Sequence, residues 1–87
     1  DIETTMFDVQ MYPNPTKGEV TLKINTSEIM DSEVVIRSIT GSEVFRKTYR
    51  AAELIKLDLS EKVSGIYLVT LQMGDKSIIK KLILVRK

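Results

Sequence analysis

Apolar and polar positions alternate along most of this chain with a period of two, the spacing of half-buried strands, and no stretch makes a convincing long helix. The clearest case is the last third. Residues 65–73, which open Gly-Ile-Tyr-Leu-Val, and residues 76–87 flank a Gly74-Asp75 pair. Two β-rich runs around so short a Gly-Asp loop predict a tight hairpin, and the loop sets its register. On one face Met73 opposes Lys76, Leu71 opposes Ile78, Val69 opposes Lys80 and Tyr67 opposes Leu82. On the other, Thr70 meets Ile79, Leu68 meets Lys81 and Ile66 meets Ile83. That second face carries more hydrocarbon than a solvated surface needs, so a cover for it is expected.

Upstream, Phe7, Val9 and Met11 alternate with Asp8 and Gln10 in a first strand after a polar, unpatterned start over residues 1–5, read as linker. The segment from Tyr12 through Pro13, Asn14, Pro15, Thr16 and Lys17 to Gly18 reads as a rigid corner. Each proline holds the residue before it extended, Pro15 suits the second position of a type I or II turn, and Gly18 tolerates a positive φ. Val20, Leu22 and Ile24 mark a second strand. Residues 26–32 form a polar loop with room for one helical turn that would set Ile29 and Met30 on the core. Val34, Val35 and Ile36 and then residues 44–49 make a second hairpin turning at Gly41, and residues 54–59 a short strand. About seven strands with turn signals every 8 to 12 residues predict an all-β fold, a small immunoglobulin-like β-sandwich filling residues 1–87 as a single domain.

Composition narrows the chemistry. A chain of 87 residues buries only about 60 to 65% of its unfolded surface, so its stability margin is small. Without cysteine there is neither a disulfide framework nor a thiolate metal site, and without histidine a Ser-His or Cys-His nucleophile pair is impossible. Ser60 and Ser64 have no base nearby. Asp58 with Glu61 is the nearest candidate for paired-carboxylate hydrolysis, but solvated loop acids are the ordinary reading. Asp31, Glu33, Asp58, Glu61 and Asp75 are hard oxygen ligands without calcium-loop spacing. No catalytic residue, metal site or cofactor is expected. A net charge of +1 and the lack of any apolar run near 18 residues argue against an electrostatic nucleic-acid binder and a membrane span. The start at Asp1, with neither an initiator Met nor a secretory leader, suggests a piece of a larger protein.

Charge is uneven only at the end, where Lys76, Lys80, Lys81, Arg86 and Lys87 follow the last acid, Asp75. Lysines on a terminal edge strand discourage sheet-to-sheet aggregation. Lys80 and Lys81 are adjacent and must point to opposite faces. Either a bulge resets the alternation or Lys80 lays its methylenes over the core and snorkels, within reach of the Tyr67 ring.

The corner residues Tyr12 to Gly18, then Leu57-Asp58-Leu59-Ser60 followed by Ser64-Gly65-Ile66-Tyr67-Leu68-Val69, and Lys80-Lys81-Leu82-Ile83-Leu84-Val85 at the end stand in an order and spacing that resembles the type A C-terminal sorting domain of type IX secretion cargo in Bacteroidetes. It departs at Gly41, followed here by Ser42 where many members carry a basic residue. The resemblance implies a non-enzymatic secretion signal. Its parent would cross the periplasm, be recognised by the outer-membrane translocon, lose the domain to a sortase-like protease, and reach the cell surface or the medium. By the same resemblance translocon recognition falls on Gly65, Tyr67, Lys80, Lys81, Leu82, Ile83, Leu84, Val85, Arg86 and Lys87. Pro13, Asn14, Pro15 and Gly18 form a structural turn. The final hairpin suits strand addition, or docking of the terminal strand, onto that partner. The competing reading is a fibronectin-like spacer or a glycan-binding module, the latter short of aromatics with three Tyr, two Phe and no Trp.

Overall fold

Each alternating run becomes a strand because one side of it can be buried while the other stays wet. The structure, a computed structural model, describes residues 7–28 and 30–85. Residues 1–5, expected as linker, and Arg86 and Lys87 lie outside them. Seven strands form: β1 (Phe7–Tyr12), β2 (Glu19–Thr26), β3 (Ser32–Ser38), β4 (Glu43–Tyr49), β5 (Leu54–Asp58), β6 (Gly65–Met73) and β7 (Lys76–Leu84). They pair antiparallel in two sheets, ordered β1-β2-β5 and β4-β3-β6-β7. This is the all-β, immunoglobulin-like sandwich that the patterning predicts.

The core lies between the sheets. Val9, Val20, Leu22, Ile24, Ile55 and Leu57 face inward from the first sheet, and Val34, Ile36, Tyr67, Val69, Leu71 and Leu82 from the second. Fully burying a side chain of this size stabilises by roughly 1.5–3 kcal/mol, so the facing layers hold the sandwich together. Val35 is also buried, yet it belongs to no part of this core. It points to the outer side of the second sheet, beside its cross-strand partners Arg46 and Thr70.

The chain crosses from one sheet to the other between β5, which pairs with β2, and β6, which pairs with β3. Tyr67 fixes this crossing. Its ring is buried and its hydroxyl donates to the carbonyl of Val63, four residues upstream, at 2.6 Å. A tyrosine at the start of the sixth strand bonding back into the preceding loop is the tyrosine corner of Greek-key sandwiches.

The final hairpin has the register set by its loop, from Met73↔Lys76 to Gly65↔Leu84 without a break. No bulge displaces Lys80. It stands half-buried on the core face opposite Val69, while Lys81 is exposed on the other. The Tyr67 ring is not its partner: among the described residues the ammonium over a ring is that of Lys47, 5.2 Å from the centroid of Tyr49. The helical turn expected within residues 26–32 does not form in the described part of that loop, where Ser27 and Glu28 bend and Met30 is partly exposed. Ile29 lies outside the described residues.

Candidate functional site

The outer face of the β6–β7 hairpin is apolar and open. Cross-strand partners Ile66 and Ile83 lie side by side there, with Leu68 opposite Lys81 and Thr70 opposite Ile79. Ile79 is 64% exposed and Ile66 39%. Ile39, at the tip of the β3–β4 turn, adjoins them, because its N–H donates to the carbonyl of Ile66 at 3.0 Å, and it too is exposed. Single exposed aliphatics need no explanation, but several gathered around one lysine make a patch that suits a protein contact. No described segment packs over this face as the expected cover.

The edge of β7 is closed at one end by the corner. Pro13 and Pro15 have no N–H to give, and the peptide bonds preceding both are cis. Asn14 compensates with its side chain, an amide that carries both a donor and an acceptor. Its Nδ2 donates to the carbonyl of Lys81 at 2.8 Å, and its Oδ1 accepts from the N–H of Ile83 at 3.0 Å. Thr16 continues the ladder through its backbone, giving its N–H to the Ile83 carbonyl at 2.9 Å and accepting from the Val85 N–H at 2.8 Å. One side-chain amide and one short parallel bridge thus stand in for a neighbouring strand over residues 81–85.

Gly18 anchors the other side of the corner. Its carbonyl accepts from the N–H of Leu59 at 2.8 Å, its N–H donates to the Thr16 hydroxyl, and φ is +152°. A Cβ there would lie 3.0 Å from the Cβ of Ser60 and 3.1 Å from its Cα. Only glycine lets the corner approach the β5–β6 loop so closely. The corner therefore touches both the tyrosine crossing and the terminal strand.

The acids do other work. Asp58 accepts from the N–H of Ser60 at 2.9 Å, and hydrogen bonds from the Ser60 side chain and backbone hold its carboxyl below the ordinary range. Asp31 accepts from Ala51, while Glu33 and Glu43 grip the Arg46 guanidinium, each at 2.9 Å. The bond from Arg46 lowers the Glu43 carboxyl. Among the described residues no three carboxylates gather as a metal site would need.

A family described as the secretion system C-terminal sorting domain matches residues 10–85. The chain belongs to that family. Its system is type IX secretion, and this sorting domain is a member in which the corner, the tyrosine crossing and the terminal strand all fall within the matched span. No curated protein matches it significantly. Among solved structures, the dimeric latent PorU of Porphyromonas gingivalis contains a region similar to it, with a TM-score of 0.74 and 23% identity over 99% of this chain. At that identity the likeness speaks for the fold. The sorting domain spans 10% of the PorU chain.

The residues that resemblance assigned to recognition divide by burial. Tyr67, Leu82 and Leu84 are in the core of the sorting domain, Lys80 and Ile83 are half-buried, and Gly65, Lys81 and Val85 are exposed. Pro13, Asn14 and Pro15 are exposed and Gly18 is buried, all in the corner. Sequence reasoning missed that Asn14 and Thr16 cap the terminal strand. The one signal for it was an asparagine between two residues that cannot donate.

Proposed function

We propose that this domain is a non-catalytic label read by the outer-membrane translocon on the surface of the folded β6–β7 hairpin, then removed by a sortase-like protease once its parent has crossed the periplasm. The family match over residues 10–85 carries the sorting reading. The open face of Ile66, Leu68, Ile79, Lys81 and Ile83 supports a contact at the hairpin, together with residues 82–87. Tyr67, Leu82 and Leu84 act through the fold: they are buried, so their part is to hold the exposed neighbours in place. This explains why Gly-x-Tyr and the basic-apolar end belong to one signal. They are the two strands of one hairpin.

The test is to fuse residues 1–87 to the C-terminus of a signal-peptide-bearing fluorescent protein in a Bacteroidetes host with and without its translocon. Fluorescence at the surface or in the medium that is lost in the translocon-deficient strain supports the reading. A folded fusion held in the periplasm of both strains overturns it in favour of a spacer. Deleting residues 82–87 cannot serve as the recognition test, because it removes two core side chains, Leu82 and Leu84. Lys81→Glu changes an exposed residue and leaves the core intact.

A further inference from the structure

Edge strands are where a sheet accepts another chain, and β7 is an edge of the four-stranded sheet. Its outward backbone groups belong to alternate residues. The N–H and carbonyl of Ile83 and the carbonyl of Lys81 point away from β6, toward Asn14 and Thr16. Because the register with β6 is unbroken, the same alternation turns the N–H and carbonyl of Ser77 and Ile79 and the N–H of Lys81 outward as well. The corner stops short of these. Residues 82–85 are sealed against an added strand, whereas no described residue pairs with the outward side of residues 77–80, so that residues 77–81 offer an open ladder of about 14 Å at ~3.4 Å per residue.

Side chains along the open stretch define what fits it. Ile79 projects on the outer face with Lys81 two residues on, and Lys76 and Lys80 stand on the other face. Among the described residues the ion pairs join Arg37 and Arg46 to Glu33 and Glu43, on β3 and β4. Neither Asp75 in the hairpin loop nor Asp8 on β1 forms an ion pair with the three lysines. The edge therefore carries positive charge that repels a second copy of itself and attracts an acidic strand.

We infer that residues 77–81 of β7 take up an extended acidic segment of the secretion partner as an added strand, with carboxylates opposite Lys76, Lys80 and Lys81 and a β-branched residue opposite Ile79. The inference rests on the reading of this domain as a recognition label and names the part of the hairpin that is used. Main-chain bonds to Ser77 and Ile79 supply affinity, and the lysines choose the partner.

A capped Glu-Glu-Val-Val-Thr-Glu peptide, complementary to residues 76–81 in antiparallel register, probes the edge in an NMR titration of the purified chain. The expected result is slowed amide exchange at Ser77, Ile79 and Lys81, with no binding of the Lys-Lys-Val-Val-Thr-Lys counterpart. Ile79→Pro removes an outward N–H that β6 does not use, a substitution an edge strand tolerates, and should weaken binding at least about tenfold. Should that variant not fold, Lys80→Glu/Lys81→Glu replaces it and should reverse the preference to the lysine peptide. Absence of binding, equal binding by Ile79→Pro, or shifts confined to Ile83 and Val85 would overturn the inference. In the export assay the two readings separate: failure of the unmodified fusion counts against the sorting label, whereas normal export of a folded Ile79→Pro fusion counts against the edge alone.

Discussion

Replacing Asn14 by alanine removes the donor to the Lys81 carbonyl at 2.8 Å and the acceptor for the Ile83 N–H at 3.0 Å. Both contacts are at the surface, so water takes over part of each bond, and a net value near the lower end, ~0.5 kcal/mol each, applies. The sum is about 1 kcal/mol. For a chain of 87 residues the unfolding entropy is roughly 0.18 kcal/mol/K, which converts that loss into a fall in Tm of about 5 °C. Local exchange is the sharper measurement. The Ile83 amide should lose protection by roughly tenfold or more once its acceptor is gone, while the Val85 amide, bonded to the Thr16 backbone, should keep most of its own. Asn14→Asp separates the two bonds, because a carboxylate still accepts from Ile83 but cannot donate to Lys81. It should restore protection at Ile83 without restoring Tm in full. An Asn14→Ala variant with unaltered exchange at Ile83 would refute the view that the corner caps the terminal strand.

Other perturbations test the remaining parts. Tyr67→Phe keeps the ring packed but deletes the 2.6 Å bond to Val63, and should lower stability by about 1–2 kcal/mol in urea unfolding with an unchanged m value. Gly18→Ala, at φ +152° and against Ser60, should cost about 1 kcal/mol or more, and Ser60→Gly should return part of it, as a double-mutant cycle would read. Glu43 and Asp58 have carboxyl pKa values lowered by bonds from Arg46 and from Ser60, so each stabilises the fold above the ordinary carboxylate pKa. That contribution is lost as pH falls through the lowered values. Tm should be level from about pH 5 upward and decline below about pH 4, less steeply in Glu43→Gln. Among the described residues the buried Ser32 hydroxyl finds no hydrogen-bond partner, so Ser32→Ala should leave Tm unchanged or raise it slightly.

The strands were legible because a period of two is written directly in residues such as Val20, Leu22 and Ile24, whose burial requires no knowledge of what lies opposite. The hairpin register was legible for a related reason: the Gly74-Asp75 loop leaves one alignment that keeps Tyr67, Val69, Leu71 and Leu82 on one side. The loop over residues 26–32 was not, since its polar residues carry no period and its course depends on where β3 must begin. Lys80 was ambiguous because sequence alone cannot say how close to the rim of the sandwich a core-facing lysine stands. At β7 it is near enough to remain half in water.

By itself, then, the sequence determined which residues are strand, which face of each is apolar, how the last hairpin aligns, and, through the order of its motifs, the family. The first three follow from local covalent alternation and turn chemistry, and the family from the resemblance of those motifs. Only the tertiary structure decided that the Tyr67 hydroxyl closes a corner onto Val63, that Asn14 and Thr16 reach residues 81–85, and that among the described residues the edge of β7 is closed at one end and open at the other. Asn14 and Ile83 are 69 residues apart in the chain, and no periodicity can join residues at that distance. Packing the two sheets brings them together, and the open stretch of β7 is the part of the edge that this contact leaves uncovered.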